Sequence, residues 1–489
     1  MSAAPARLLL AHGFFLAEDP RERQVMRPYP PLGLLYLSAY LKRGGTPVDV
    51  FDATFDTRAG FRARLAASRP SIVGLYANLL TRRTVVEMMA DARHAGAVVV
   101  VGGPDPANYA DEYLDAGADV VVIGEGEATL AELVPRIEGR ERLQRSADGT
   151  LREIAGIAFR TASGEVCRTT ARAVLPDLDA LPPPDRGAID IDAYVRAWRL
   201  HHGRGAVSLI TARGCPYTCS WCSHSVFGHT HRRRSPELVA DEVADIVNRY
   251  RPDMVWYADD VFTIHHKWLS DYHAALERRG LRVPFETISR DDRVDADVVR
   301  RLADMGCRKL WLGSESGSQR VLDAMERRAN AERIRDRVAL LQAHGIEAGL
   351  FVMLGYEGEE RTDLEATVAH LKLAHADEVL TTVAYPIKGT PYHARVRHRL
   401  QAPRPWAQSS DRDLVVAGRR SRRYYASANR WLFGELSAHR LRSAGGLEWW
   451  PYVRARANAA LGRAGMWWFD DERDGTVGEE PTLTEAPTR

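Results

Sequence analysis

The chain has 489 residues, 45% hydrophobic and 27% charged, which at roughly 150 residues per domain predicts about three folding units with sizeable cores. A balance of 67 Lys plus Arg against 65 Asp plus Glu gives no chain-wide electrostatic case for a nucleic acid partner, and only five of the basic residues are Lys, so a single arginine carries little weight. Five cysteines exclude a disulfide scaffold, and the longest apolar runs are strand-sized, far short of the ~20 residues of a membrane span. Met1 to His12 shows no signal-peptide pattern, so a reducing, cytoplasmic setting is expected.

From residue 1 to about 140, short apolar runs alternate with amphipathic stretches, the pattern of a parallel α/β sheet. Strands are predicted at Leu8–Ala11, Val48–Asp52, Ile72–Tyr76, Val98–Val101 and Val120–Ile123, with helices at Leu34–Lys42, Thr84–His94 and Tyr109–Asp115, each followed by a glycine cap. Residues 141–204 break the rhythm. A hairpin around Ser163-Gly164 and the Leu181-Pro182-Pro183-Pro184 stretch read as a linker with a small β element. Across 205–395 the alternation resumes, with strands at Val207–Thr211, Met254–Ala258, Phe285–Ser289, Lys309–Gly313, Gly349–Leu354 and Val379–Tyr385. Six such units fit a partial (β/α)6 barrel, two short of a closed one. Residues 396–474 read as a helical C-terminal region with six of the eleven tryptophans, and 475–489 as a disordered polar tail.

The densest chemical signal follows the first barrel strand, where Cys215, Cys219 and Cys222 fall within eight residues. Three thiolates are too few for a closed structural zinc site, and His224 stands at the wrong spacing to complete one. A 4Fe-4S cluster held by three thiolates keeps one iron open for a ligand. Cysteines at this spacing, with Trp221 before the third, resemble the signature of the radical S-adenosylmethionine superfamily. That resemblance implies S-adenosylmethionine on the open iron and its reductive cleavage to a 5′-deoxyadenosyl radical. It also implies cofactor-site roles for Trp221 and for residues at the strand ends. Asp259 and Asp260 would face the methionyl ammonium, where the plain alternative is a helix cap. Arg290 would face the carboxylate, Glu315 in Gly313-Ser-Glu-Ser-Gly317 would join the site, and Gly355 would lie against the adenine. Tyr385, in Tyr385-Pro-Ile-Lys-Gly-Thr-Pro391, is a candidate substrate-facing residue and equally a packing one.

A doubly wound sheet binds its ligand at the carboxyl ends of its strands. The loops there hold Tyr76, Gly102-Gly103 and Gly124-Glu125-Gly126, and Tyr29-Pro-Pro-Leu-Gly-Leu34 precedes them. Ahead of such a barrel they resemble the Rossmann-like cobalamin-binding domain of the cobalamin-dependent branch, and those six loop residues become candidate cobalamin contacts. The usual Asp-x-His-x-x-Gly cobalt-ligand signature is absent, and His12 is the other histidine near the rim. The implied function is a radical methyltransferase: S-adenosylmethionine serves as radical source and as methyl donor to cobalamin, and the substrate is a small molecule. The branch also contains non-methylating oxidative cyclases that act on tetrapyrroles, which is the alternative reading. The expected partners are an external electron donor such as a flavodoxin or ferredoxin, and a substrate whose anionic group would pair with Arg419, Arg420, Arg422, Arg423 and Arg430; no nucleic acid and no membrane span are expected.

Overall fold

The computed structural model describes residues 8–137, 143, 149–443 and 449–475; the expected disordered tail from 476 onward lies outside them. The first unit is built on five parallel strands, β1 Leu8–His12, β2 Val48–Phe51, β3 Ile72–Tyr76, β4 Val98–Gly102 and β5 Val120–Val122, joined by helices on both faces. Their Val- and Leu-rich runs are buried on both sides, which is why they read as continuous apolar segments rather than alternating ones. In the order β2-β1-β3-β4-β5 the chain reverses direction across the sheet between β1 and β3, and the crevice at that switch opens at the strand ends.

The hairpin expected inside a linker is instead part of this sheet. Strands β6 Ile157–Arg160 and β7 Val166–Arg168 add to β5 as an antiparallel edge, with Val120 opposite Phe159. Phe159 and Ile157 are buried with Val120 and Val122 in the same core, so a pairing across 39 residues of chain decides where this hairpin sits.

The second unit is a six-stranded, all-parallel sheet in chain order: β8 Ala206–Leu209, then, after the short strands β9 Ala212–Arg213 and β10 Arg232–Arg233, the strands β11 Met254–Tyr257, β12 Phe285–Ser289, β13 Cys307–Glu315, β14 Glu347–Leu354 and β15 Glu378–Val383. Alternate residues of these strands pack outward against the intervening helices in one core, and the sheet ends at β15 without returning to β8. This is the open, six-unit barrel expected.

Residues 396–421, expected to be helical, form short turns and an antiparallel pair, Leu400–Gln401 with Val415–Val416. Two long helices follow: an inner one, Arg422–Ser443, against the barrel, and an outer one, Trp449–Trp468, against the inner. No helix among the described residues is long and apolar enough to cross a membrane.

Candidate functional site

The three cysteines ride on a loop closed at its base. Strands β9 and β10 pair antiparallel, Arg213 opposite Arg232, so the chain between them is pinched into a closed excursion. Beneath it Asp259 is buried and fully engaged: it accepts from Thr211 N (2.7 Å), Ala212 N (3.1 Å) and Arg233 (2.7 Å), and bonds the Thr211 hydroxyl. Asp259 is therefore a strut of the loop rather than a ligand for an ammonium group. Its neighbour Asp260 is open to the cavity it lines, and desolvation by the cavity wall, then the charge of Asp259, raises its pKa. Of the acidic pair, Asp260 alone stays open to a cation.

Within the loop, Ser220 fixes the cysteines to the far strands. Its hydroxyl donates to the Met325 carbonyl (3.0 Å) and lies 2.6 Å from the Tyr356 hydroxyl, while its carbonyl accepts from Tyr392 N (2.8 Å). Trp221 packs with Tyr356 and Tyr392 in a small apolar cluster. The aromatic residue before the third cysteine thus anchors the loop, a structural role in place of the expected cofactor contact.

Desolvation by the cavity wall, then Asp260 and the neighbouring thiols, raises the pKa of the Cys222 thiol although its surface is open to the cavity, and desolvation likewise raises Cys215. Among the described residues Cys219 is the cysteine of the three with a cation in hydrogen-bonding reach, Arg290 Nη1 at 3.7 Å. Three crowded thiols without matching positive charge are a donor set that calls for a cationic group. No three His, Cys, Asp or Glu side chains among the described residues converge on a single ion. A cubane suits such a set, since its thiolates each bind a different iron.

Arg290 is otherwise spent, on Asp292 (2.9 Å) and the Arg327 carbonyl (2.9 Å), with its guanidinium over the Tyr217 ring at 3.8 Å. A guanidinium with one arm free belongs to Arg327, which sequence reasoning missed and whose Nη2 donates to the Gly313 carbonyl (3.1 Å). It is 4% exposed, its Nε lies 3.7 Å from Glu315, and its buried Nη1 has no hydrogen-bond partner among the described residues. In a chain with more than sixty arginines no local signal marks this one. Glu315 sits at the register shift between β13 and β14 with φ of +58°, a left-handed conformation that a non-glycine residue adopts at a cost. Burial raises its pKa, and its charge is felt at Cys222.

Gly355 is required for a different reason than expected. A Cβ there would stand 2.8 Å from the Tyr425 ring of the inner C-terminal helix, so the glycine admits that helix. Tyr385 is half-buried 5.9 Å from Arg412 and does not line the cavity.

One cavity of about 840 Å³ connects this loop to the first unit. That is near the top of the ~300–1,000 Å³ range of small-molecule pockets. Cys215, Cys222, Trp256 and Asp260 form one wall, and Tyr76, Gly102, Gly103, Gly124, Glu125 and Gly126 another. At Gly103, φ is +116° and a Cβ would meet the Ala77 carbonyl at 2.4 Å, so only glycine allows the β4 end to turn here. Glu125 is committed as an inter-unit strut: it accepts from Leu175 N (2.7 Å), Arg213 (2.8 Å) and Arg232 (2.8 Å), and Glu127 holds the other arm of Arg213 (2.5 Å). His12 also faces the cavity, but Nε2 pairs with Asp52 at 2.9 Å and Nδ1 accepts from Phe14 N, so both ring nitrogens are engaged. The arginines expected to meet an anionic substrate have partners elsewhere: Arg419 with Asp474, Arg420 with Asp470, Arg422 with the Asp413 carbonyl, Arg423 near Glu472 and Arg430 with Asn458.

Comparison with known proteins gives two family matches, the radical SAM superfamily over residues 209–371 and the B12-binding domain over residues 24–134. An uncharacterized methyltransferase of Pyrococcus horikoshii is 28% identical over 382 residues, 76% of this chain and 80% of that protein. An anaerobic magnesium-protoporphyrin IX monomethyl ester cyclase of Rubrivivax gelatinosus is 29% identical over 349 residues, 69% of this chain and 61% of that protein. Among solved structures, the radical S-adenosylmethionine methyltransferase TsrM of Kitasatospora setae, with cobalamin and a [4Fe-4S] cluster bound, superposes with a TM-score of 0.68 at 19% identity, covering 95% of this chain and all of that one.

Proposed function

The chain belongs to the radical S-adenosylmethionine enzymes that carry a B12-binding domain, and on that premise we propose that it is a cobalamin-dependent radical methyltransferase acting on a carbon of a small molecule. The observation that carries this reading is the cavity in which the glycine-lined strand ends of the first unit face Cys215, Cys222 and Asp260 of the second. When bound, the cluster with S-adenosylmethionine supplies a radical able to take hydrogen from an unactivated carbon, and the corrinoid supplies the methyl group.

The chain's own part is holding, orienting and excluding water. Cys215, Cys219 and Cys222 would hold the cluster, with Arg290 offsetting charge at Cys219. Asp260 would take the methionyl ammonium, and the unpartnered Nη1 of Arg327 its carboxylate, with Glu315 keeping that guanidinium in place. Tyr76 and the glycine loops would hold the corrinoid, and His12, with both ring nitrogens taken, would offer none to the cobalt. Glu125, Arg213 and Arg232 fix the spacing between the two halves. An external flavodoxin or ferredoxin would supply electrons in a reducing, cytoplasmic setting, in keeping with five free cysteines.

The oxidative cyclase reading is kept because of the sequence likeness to the Rubrivivax enzyme. Product mass separates the two, since only methylation adds one carbon. Anaerobic reconstitution with cobalamin, iron, sulfide and S-adenosylmethionine should yield 5′-deoxyadenosine on reduction, and Arg327→Leu should weaken S-adenosylmethionine binding about tenfold or more, as expected for losing a charge-assisted contact. Unchanged affinity in that variant would remove Arg327 from the site, and an absence of 5′-deoxyadenosine would remove the function.

A further inference from the structure

The outer C-terminal helix, Trp449–Trp468, is seated by one face. Ala455, Ala459, Gly462 and Met466 are buried there against the inner helix. The fit is close: a Cβ on Gly462 would meet the Trp431 backbone at 2.4 Å, and one on Gly434 would meet Ala459 N at 2.5 Å. Small residues complete this packing, so the seat takes no aromatic ring from the outer helix. Yet Trp449, Trp450, Trp467 and Trp468 are 65%, 78%, 71% and 74% exposed, and Leu461 is 55% exposed. These tryptophans do not pack the segment onto the barrel.

Their arrangement is regular. At roughly 100° per residue, Trp450, Ala457, Leu461, Ala464 and Trp468 form one stripe pointing away from the seat. The stripe runs about 27 Å from Trp450 to Trp468 at 1.5 Å per residue. Arg454 borders it on one side, Arg456 and Arg463 on the other, and the twenty residues of the helix hold no acid. Arg456 and Arg463 lean on Glu435 (3.0 Å) and Glu365 (3.3 Å) of neighbouring helices, yet their side chains stay 53% and 58% exposed. Of the described acids just past the helix's C-terminal end, Asp470 pairs with Arg420 and Glu472 lies near Arg423, which leaves Asp471 exposed.

We propose that this face docks the enzyme on an anionic lipid bilayer, with the outer helix lying in the plane of the headgroups. Tryptophan at both ends, a continuous apolar stripe and flanking arginines are what an interfacial helix presents, the rings entering the headgroup boundary and the guanidinium groups meeting anionic lipid. A second copy of the chain fits less well. Two such faces meeting would bring arginine borders together with no acid on either helix to answer them. The proposal rests on this surface alone and stands apart from the reading of the active site.

The test is co-sedimentation of the full-length protein with vesicles of phosphatidylcholine alone or with phosphatidylglycerol added. Binding is expected on the anionic vesicles, weakened by salt, with a blue shift of tryptophan emission. Trp467→Ser with Trp468→Ser should weaken it about tenfold or more, and Arg454→Gln about fivefold, with circular dichroism unchanged because neither alters the seated face. No binding to anionic vesicles, or equal binding by the tryptophan variant, would overturn the proposal. So would a dimer in analytical ultracentrifugation that the same variant dissolves.

Discussion

Arg213 is the residue through which the two halves of the cavity are held in register, and its removal is the most informative single change. It lies immediately before the cysteine loop, with its side chain 8% exposed, and it holds Glu125 and Glu127, whose side chains are 3% and 4% exposed. Arg213→Ala leaves these buried carboxylates without their guanidinium partner. Breaking a buried pair in this way costs about 3–5 kcal/mol. Arg232 still answers Glu125 at 2.8 Å, which places the expected loss near the lower end, about 3 kcal/mol. In urea unfolding followed by tryptophan fluorescence, this should appear as a shift of the first transition, since a chain with several units need not unfold in one step. Adding Glu127→Ala to Arg213→Ala should recover part of the loss, with a coupling of about 2 kcal/mol, because the second change removes the stranded charge. A single-variant loss below about 1 kcal/mol, or strict additivity in the cycle, would refute the view that this pair is desolvated and joins the halves.

Each of Cys215→Ala, Cys219→Ala and Cys222→Ala should abolish the cluster absorbance and 5′-deoxyadenosine formation, whereas Cys167→Ala and Cys307→Ala should retain both. The cobalt(II) form of the bound corrinoid should show no nitrogen superhyperfine splitting in electron paramagnetic resonance; a splitting that vanished in His12→Ala would contradict the occupied ring nitrogens. His370 is buried beside Ser314, and burial, then Arg335, pulls its pKa down to about 4. The unfolded chain, with its histidine near 6.5, binds the extra proton first as pH falls, so stability should drop between pH 6.5 and 4 by up to about 3 kcal/mol from this group. His370→Gln should flatten that part of the pH profile, and an unchanged slope would show that the group does not stay neutral in the fold.

The sequence is most readable where local pattern and burial coincide. All of the parallel strands but β15 are largely buried on both faces, and apolar runs mark all eleven to within about two residues. The cysteine triad and the strand-end glycines were equally visible, because spacing and residue type carry that chemistry locally. What escaped was set by distant partners. Nothing near residues 157–168 says that Phe159 will lie opposite Val120. Asp259 and Asp260 are indistinguishable as neighbours, and only the bonds from Thr211, Ala212 and Arg233 assign the first to the scaffold. Gly355 answers to Tyr425, seventy residues away, and Arg327 stands out only because Arg290 is already committed. The anionic group expected on the substrate rested on arginines that the fold pairs with Asp470, Asp474 and their neighbours.

The central claim is that one cavity brings a methyl-carrying corrinoid and the cluster together for methyl transfer, and it can be tested without knowing the substrate. The protein, reconstituted anaerobically with cluster and cobalamin, is reduced in the presence of S-adenosylmethionine carrying a deuterated methyl group, and the protein-bound corrinoid is then analysed by mass spectrometry. Methylcobalamin bearing the label is expected, lost in a variant that fails to bind cobalamin. Protein that binds corrinoid and forms 5′-deoxyadenosine yet never yields labelled methylcobalamin would contradict it.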